Sequence, residues 1–196
     1  MKTKTRSVSG QQKMPNTQMF SLLDDKLIVG IRSWNGSEIN QKILDEINHY
    51  MSSVEADLEV TSPFELSEHL SHIANKLKVS MLLANDLIYK SENSETYQHG
   101  AEVISLFKKN KEIAWASIGR FSIDLIKQDE SKIKVFDSGA SFNDEILMPV
   151  GLLGLMRFPD IHAGSFVSTS ISSIEIKSIF RQQESVWECF VTDLDN

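Results

Sequence analysis

Hydrophobic and polar positions change period along this chain, and the changes mark its elements. Met19-Phe20-Ser21-Leu22-Leu23 and Lys26-Leu27-Ile28-Val29-Gly30-Ile31-Arg32 are apolar, β-prone runs separated only by Asp24-Asp25. Two turn-forming residues between two such runs predict a β-hairpin. Ser33-Trp34-Asn35-Gly36-Ser37 then reads as a turn with Ser37 as an N-cap, and Ile39, Ile43, Ile47 and Tyr50 recur at helical spacing. Ser62-Pro63-Phe64-Glu65 reads as a capping box opening a second helix. Its apolar stripe is Leu66, Leu70, Ile73, Leu77, Met81 and Ala84, ending near Tyr89, with the acidic segment 52–61 as connector.

Beyond the polar loop 91–100 the period becomes two. Ala101–Phe107, Glu112–Ile118, Phe121–Ile126 and Ile133–Phe136 predict an antiparallel meander with one buried face. A loop-rich stretch, Asp137 to Ser173, follows. A last hairpin pairs Ile174–Phe180 with Val186–Val191 across residues 181–185. Strands flanking a helical pair indicate an α+β fold, with about eight strands in two stacked antiparallel sheets and helices outside. Met1 to Ser9 is basic (Lys2, Lys4, Arg6) with no apolar segment after it; it reads as a flexible lead-in at 1–9, with one domain over 10–196.

Composition narrows the classes. The chain has 196 residues, 41% of them apolar, enough for a sizeable core in one domain. A net charge of −7 argues against broad nucleic-acid binding. No run reaches the roughly 18 apolar residues of a membrane span. A single cysteine, Cys189, precludes an internal disulfide and fits a reducing cytoplasm; it reads as a buried apolar residue.

Several other groups read as structural. His69 and His72 lack a nearby carboxylate or cysteine to complete a metal site, and Gly151-Leu152-Leu153-Gly154 lacks the Gly-Lys-Ser/Thr of a phosphate loop. The serines of 165–173 have no Gly-x-Ser-x-Gly elbow. Trp115 and Trp187 are expected in the core; Trp34 is open between packing and partner contact. An N-terminal-nucleophile hydrolase would build a similar sandwich, but no processing site frees a nucleophile here.

The order of elements, with five local motifs, resembles the metal-dependent protein phosphatases of type 2C (the PPM family), particularly small bacterial members. Asn16-Thr17-Gln18 sits where that family has Asn-x-Asp. Ile31-Arg32-Ser33-Trp34-Asn35-Gly36 sits at its Asp-Gly-x-Gly-Gly, and His99-Gly100-Ala101 at its Gly-started strand. Trp115 to Ser122, containing Gly119-Arg120, sits at its Gly-Asp-Ser-Arg, and Phe190-Val191-Thr192-Asp193-Leu194 at its Thr-Asp-Gly. The resemblance implies a four-layer α-β-β-α sandwich. It also implies a centre of two divalent cations, held by carboxylates, activating a water against a phosphoryl group.

The diagnostic acids are replaced. Arg32 and Ser33 stand for the central Asp-Gly, Arg120 for the Asp after Gly119, and Gln18 for the early acid, while Gly36 and Asn16 keep less specific positions. Only Asp193 retains an acidic partner role, as a lone candidate metal ligand. An arginine cannot deprotonate to accept a cation. The expected protein is therefore a catalytically impaired pseudophosphatase with no cofactor, serving as a regulatory or protein-binding module in the cytoplasm. Its partner would be a protein, such as a phosphoprotein, with neither nucleic acid nor membrane. Arg32 and Arg120 would contact a phosphate or carboxylate, or pair structurally with Asp193 and other acids. The alternative is an active Mg- or Mn-dependent serine/threonine phosphatase with relocated ligands drawn from Asp24, Asp25, Asp124, Asp129 and Asp137.

Overall fold

The structure, a computed structural model, describes residues 1–8, 15–56, 61–96, 98–138, 151–180 and 185–194. Ten strands and two helices follow in the order β1 (Lys2–Val8), β2 (Gln18–Leu22), β3 (Leu27–Trp34), α1 (Glu38–Glu55), α2 (His72–Ser91), β4 (Gly100–Lys109), β5 (Glu112–Ile118), β6 (Ser122–Lys127), β7 (Lys132–Asp137), β8 (His162–Val167), β9 (Ile171–Phe180) and β10 (Ser185–Thr192). One antiparallel sheet is ordered β2-β3-β4-β5-β8, the other β1-β10-β9-β6-β7. Ser9 of the expected lead-in, 57–60 of the connector, 139–150 of the loop-rich stretch and 181–184 of the last hairpin lie outside the described residues.

Alternation on the central strands builds two cores. In β3, Leu27, Val29 and Ile31 face the helices, where they pack with Ile39, Ile43, Ile47, Leu77 and Met81. Ile28 faces the opposite sheet, packing with Ile104, Leu106, Ile123, Ile174, Ile176 and Trp187. A strand buried on both faces reads as a near-continuous apolar run, which is why β3 and β4 stand out in the sequence. Trp115, Trp187 and Cys189 lie in the inter-sheet core as expected, and burial pushes the Cys189 thiol up to about 12, which keeps it unreactive.

Four expectations need correction. Residues 2–8 are not a lead-in but an edge strand, with Lys4 opposite Phe190 and Arg6 opposite Glu188. Their alternation of charge with Thr and Ser hides a strand whose side chains at 2–7 stay exposed. The second helix begins at Ser71, whose hydroxyl accepts from the Ala74 amide at 3.1 Å, and not at Ser62. The buried Asn75 side chain takes both the Ser67 amide and the Ser67 carbonyl at 2.8 Å, holding the preceding segment as a loop; Leu66 accordingly points outward. Ser37 precedes α1 but its side chain makes no capping bond. Finally, the stretch expected as loop contains β8, whose small residues mask it: Gly164 lies against the Trp115 ring, where a Cβ would come within 2.9 Å.

Both helices pack on the β2–β8 sheet. Among the described residues the stack is thus three layers, where the resemblance implies four. β9 and β10 are antiparallel neighbours that end and begin four residues apart in sequence. The outer face of the β1–β7 sheet carries ion pairs instead: Glu175, almost fully buried, meets Lys132 at 2.7 Å and Lys177 at 3.0 Å. Burial raises the Glu175 carboxyl, but the two lysines outweigh it and hold it below its ordinary value. A carboxyl lowered on folding contributes stability above its unfolded pKa and loses it as pH falls through the folded one. Glu175→Gln is therefore expected to destabilise at neutral pH, with the deficit shrinking below about pH 4, read by urea unfolding of both proteins.

Candidate functional site

Arg32 follows Ile28 and Gly30 on one face of β3, so the strand's alternation aims a guanidinium between the two sheets. Its direct partner across the β3–β4 ladder is Glu102. Both side chains are fully buried, and Arg32 Nη1 donates to Glu102 Oε2 at 3.0 Å. The same nitrogen donates to Ser178 Oγ of β9 at 2.7 Å, which ties the two sheets together. Nε donates to Thr17 Oγ1 at 3.0 Å, just before β2. The guanidinium lies 5.6 Å from the centre of the Phe121 ring, a cation–π distance. Nη2 is buried with no hydrogen-bond partner among the described residues.

Glu102 is saturated from its other side. Oε1 accepts from the Arg120 backbone amide at 2.9 Å, and Oε2 also receives the Trp34 indole N–H at 3.4 Å. Gly119 makes this approach possible: its φ is +104°, and a Cβ there would stand 2.5 Å from Glu102 Cγ. Burial pulls the Arg32 guanidinium below its ordinary value while Glu102 pushes it back up. Arg120, also nearly buried, is lowered by burial and by the Arg32 charge and raised by Glu102.

The structure therefore brings together Arg32, Gly119 and Arg120, and of the Asn16–Gln18 motif only Thr17 reaches them. Asn16 is exposed, and Gln18 Oε1 accepts from Asn40 Nδ2 at 2.9 Å at the start of α1. Ser33 is half-buried opposite Ala101, and Gly36, at φ +109°, is exposed, with the Glu38 carboxylate standing where a Cβ would go. Asp193 belongs elsewhere, which corrects the expectation that it partners the arginines. Trp187 stands opposite Ser178 on β10, and six residues further, about 20 Å along the strand, Asp193 pairs with Lys2 at 2.8 Å. That ion pair lowers the Asp193 carboxyl below its ordinary value.

Glu102 is the residue that sequence reasoning missed. The signal was a lone acid inside the apolar run Ala101–Phe107: a charge in a doubly buried strand needs a partner of opposite sign. Its partner stood 70 positions earlier and could not be assigned without the strand register.

The donor set does not fit a pair of divalent cations. The single carboxylate is taken up by a guanidinium and by N–H donors, and among the described residues no three His, Cys, Asp or Glu side chains gather. His72 opens α2 whereas His69 lies in the loop before it. The Gly151–Gly154 stretch is a pinned strap: Ala101 and Leu153 exchange backbone bonds at 3.1 and 2.9 Å. Asn85 accepts from the Gly154 amide at 2.8 Å, and Asn93 donates to the Gly154 carbonyl at 2.7 Å.

This architecture is the PP2C-type phosphatase fold. A bacterial serine phosphatase superposes with a TM-score of 0.64 at 11% identity, over 98% of this chain and 97% of that one. The serine/threonine phosphatase Stp1 from Staphylococcus aureus gives 0.62 at 12%, over 97% and 94%. The catalytic domain of the serine/threonine protein phosphatase PstP, solved with two manganese ions, gives 0.59 at 11%, over 97% of both chains. No family model matches the sequence, and no curated protein matches it.

Proposed function

We propose that this protein is a pseudophosphatase: a PP2C-type scaffold that binds other proteins, phosphoproteins among them, and regulates rather than hydrolyses. The observation that supports this most is the Arg32–Glu102 pair. Where the resemblance expects a metal-binding carboxylate at the end of the second strand, a buried guanidinium occupies the space between the sheets. It carries the positive charge itself and consumes the one acid there. A cation placed beside it would meet repulsion in a medium of low dielectric. No described helix is long and apolar enough to cross a membrane, and a cytoplasmic location accords with the single buried cysteine.

Hydrolysis of p-nitrophenyl phosphate with Mn²⁺ or Mg²⁺ tests the reading, alongside calorimetric titration of Mn²⁺. No metal-dependent turnover and no micromolar binding are expected. Metal-dependent turnover with micromolar Mn²⁺ affinity would establish the competing reading, an active phosphatase whose ligands have moved.

A further inference from the structure

We propose that β8 is a self-association edge, through which two copies of this chain pair antiparallel to make a continuous ten-stranded sheet. An edge strand exposes unpaired backbone donors and acceptors, and proteins ordinarily guard such edges with charge. Both edges of the other sheet are guarded in this way: β1 carries Lys2, Lys4 and Arg6, and β7 carries Lys132, Lys134 and Asp137. β8, the edge of the helix-covered sheet, reads His-Ala-Gly-Ser-Phe-Val, with no Lys, Arg, Asp, Glu or Pro. The opposite edge of that sheet, β2, is also uncharged, but Met19, Phe20 and Leu22 turn into the cores and only Gln18 and Ser21 are exposed. On β8 an apolar side chain stays in water: Val167 is 60% exposed. Only Phe158, four residues before the strand and 76% exposed, is a more exposed large apolar residue among those described.

The sequence of β8 selects a second copy as the occupant. Along β8, Ala163 faces the helix layer and Phe166 the inter-sheet core, so even and odd positions lie on opposite faces. A two-fold axis perpendicular to the sheet preserves those faces, and each residue must meet one of its own parity. With the axis at Ser165, Ala163 meets Val167 of the other copy and Gly164 meets Phe166. At the Ala163–Val167 and Gly164–Phe166 pairs a large residue falls opposite a small one, and Ser165 meets its own copy, so no two bulky side chains collide across the seam. No like charges are juxtaposed, so the net charge of −7 is kept away from the seam. Six residues extend about 20 Å and bury less than the roughly 1,200 Å² of a standard interface. The dimer is therefore expected to be weak and to appear with concentration.

Sedimentation velocity from about 5 to 500 μM, spanning the range in which small interfaces associate, should show a reversible monomer–dimer equilibrium. Val167→Lys, at an exposed position that leaves the fold intact by circular dichroism, should weaken it at least tenfold. Ser21→Lys on β2 should leave it unchanged. Ser165→Cys should form an intermolecular disulfide under mild oxidation, because two-fold-related residues in an antiparallel pair stand about 4.5–5.5 Å apart at Cα, within disulfide range. The buried Cys189 gives no competing cross-link. A protein monomeric throughout the range, or a dimer unaffected by Val167→Lys and not trapped by Ser165→Cys, overturns the proposal. Pairing of β8 with a foreign extended peptide and not with itself would overturn it too.

Discussion

Arg32→Met is expected to lower the unfolding free energy by about 3–5 kcal/mol, the cost of leaving a buried acid without its partner. Glu102 is fully buried and its Oε2 receives Nη1 at 3.0 Å, so the variant leaves a carboxylate between two sheets without its ion-pair hydrogen bond, held by the Trp34 and Arg120 N–H groups and the Arg120 charge. The Ser178 hydroxyl of the second sheet and the Thr17 hydroxyl lose their donor as well. Urea unfolding at neutral pH reads the loss. The double variant Arg32→Met/Glu102→Met should recover most of it, since an apolar pair of similar volume replaces the ion pair without leaving a charge uncompensated. Arg32→Lys should not rescue: one ammonium cannot span Thr17, Glu102 and Ser178 as a planar fork does, nor stack as well on Phe121. A single-variant loss below about 1 kcal/mol, the scale of a surface ion pair, would show that the pair is solvated and that the charge argument against a cation site is wrong.

Gly119→Ala is expected to cost about 2–4 kcal/mol, again by urea unfolding, because two penalties coincide. The residue holds φ at +104°, where an L side chain is strained, and its new methyl would stand 2.5 Å from Glu102 Cγ and 2.6 Å from Glu102 Cβ. Backbone strain alone is worth about 1–2 kcal/mol; the rest comes from pushing Glu102 off Arg32. The contribution is separable: in a Glu102→Gly background, which removes both Cγ and Cβ, the steric part should vanish and only the strain should remain. Gly151, also at positive φ but with nothing nearer than 3.6 Å to a Cβ, provides the control in which strain acts alone.

Much of the fold was legible because its signals are local. The Leu27–Arg32 run, the helical spacing of Ile39, Ile43 and Ile47, and the alternation Ile123–Leu125 report burial through chain periodicity alone. The failures also have local causes. Ser62-Pro63-Phe64-Glu65 satisfies every rule of a capping box, yet Asn75, thirteen residues after Ser62, satisfies the intervening backbone as a loop and postpones the helix to Ser71. β1 hides behind alternating lysines, and β8 behind glycine, serine and alanine. At the site, sequence alone marked Arg32 and Gly119-Arg120 as departures from an acidic pattern, but it matched them to the wrong acid. Asp193 resembles the expected Thr-Asp ending, yet the strand register carries it to the far end of β10.

What the chain alone determined is which residues are charged where charge is unusual, and which runs must be buried. Side-chain periodicity and the immutable charge of arginine suffice for that. Tertiary structure alone decided that Glu102 opposes Arg32, that Ser178 bridges the sheets, and that Asp193 stands apart with Lys2. Those pairings depend on the register between strands distant in sequence, and a shift by one residue would turn every side chain to the other face.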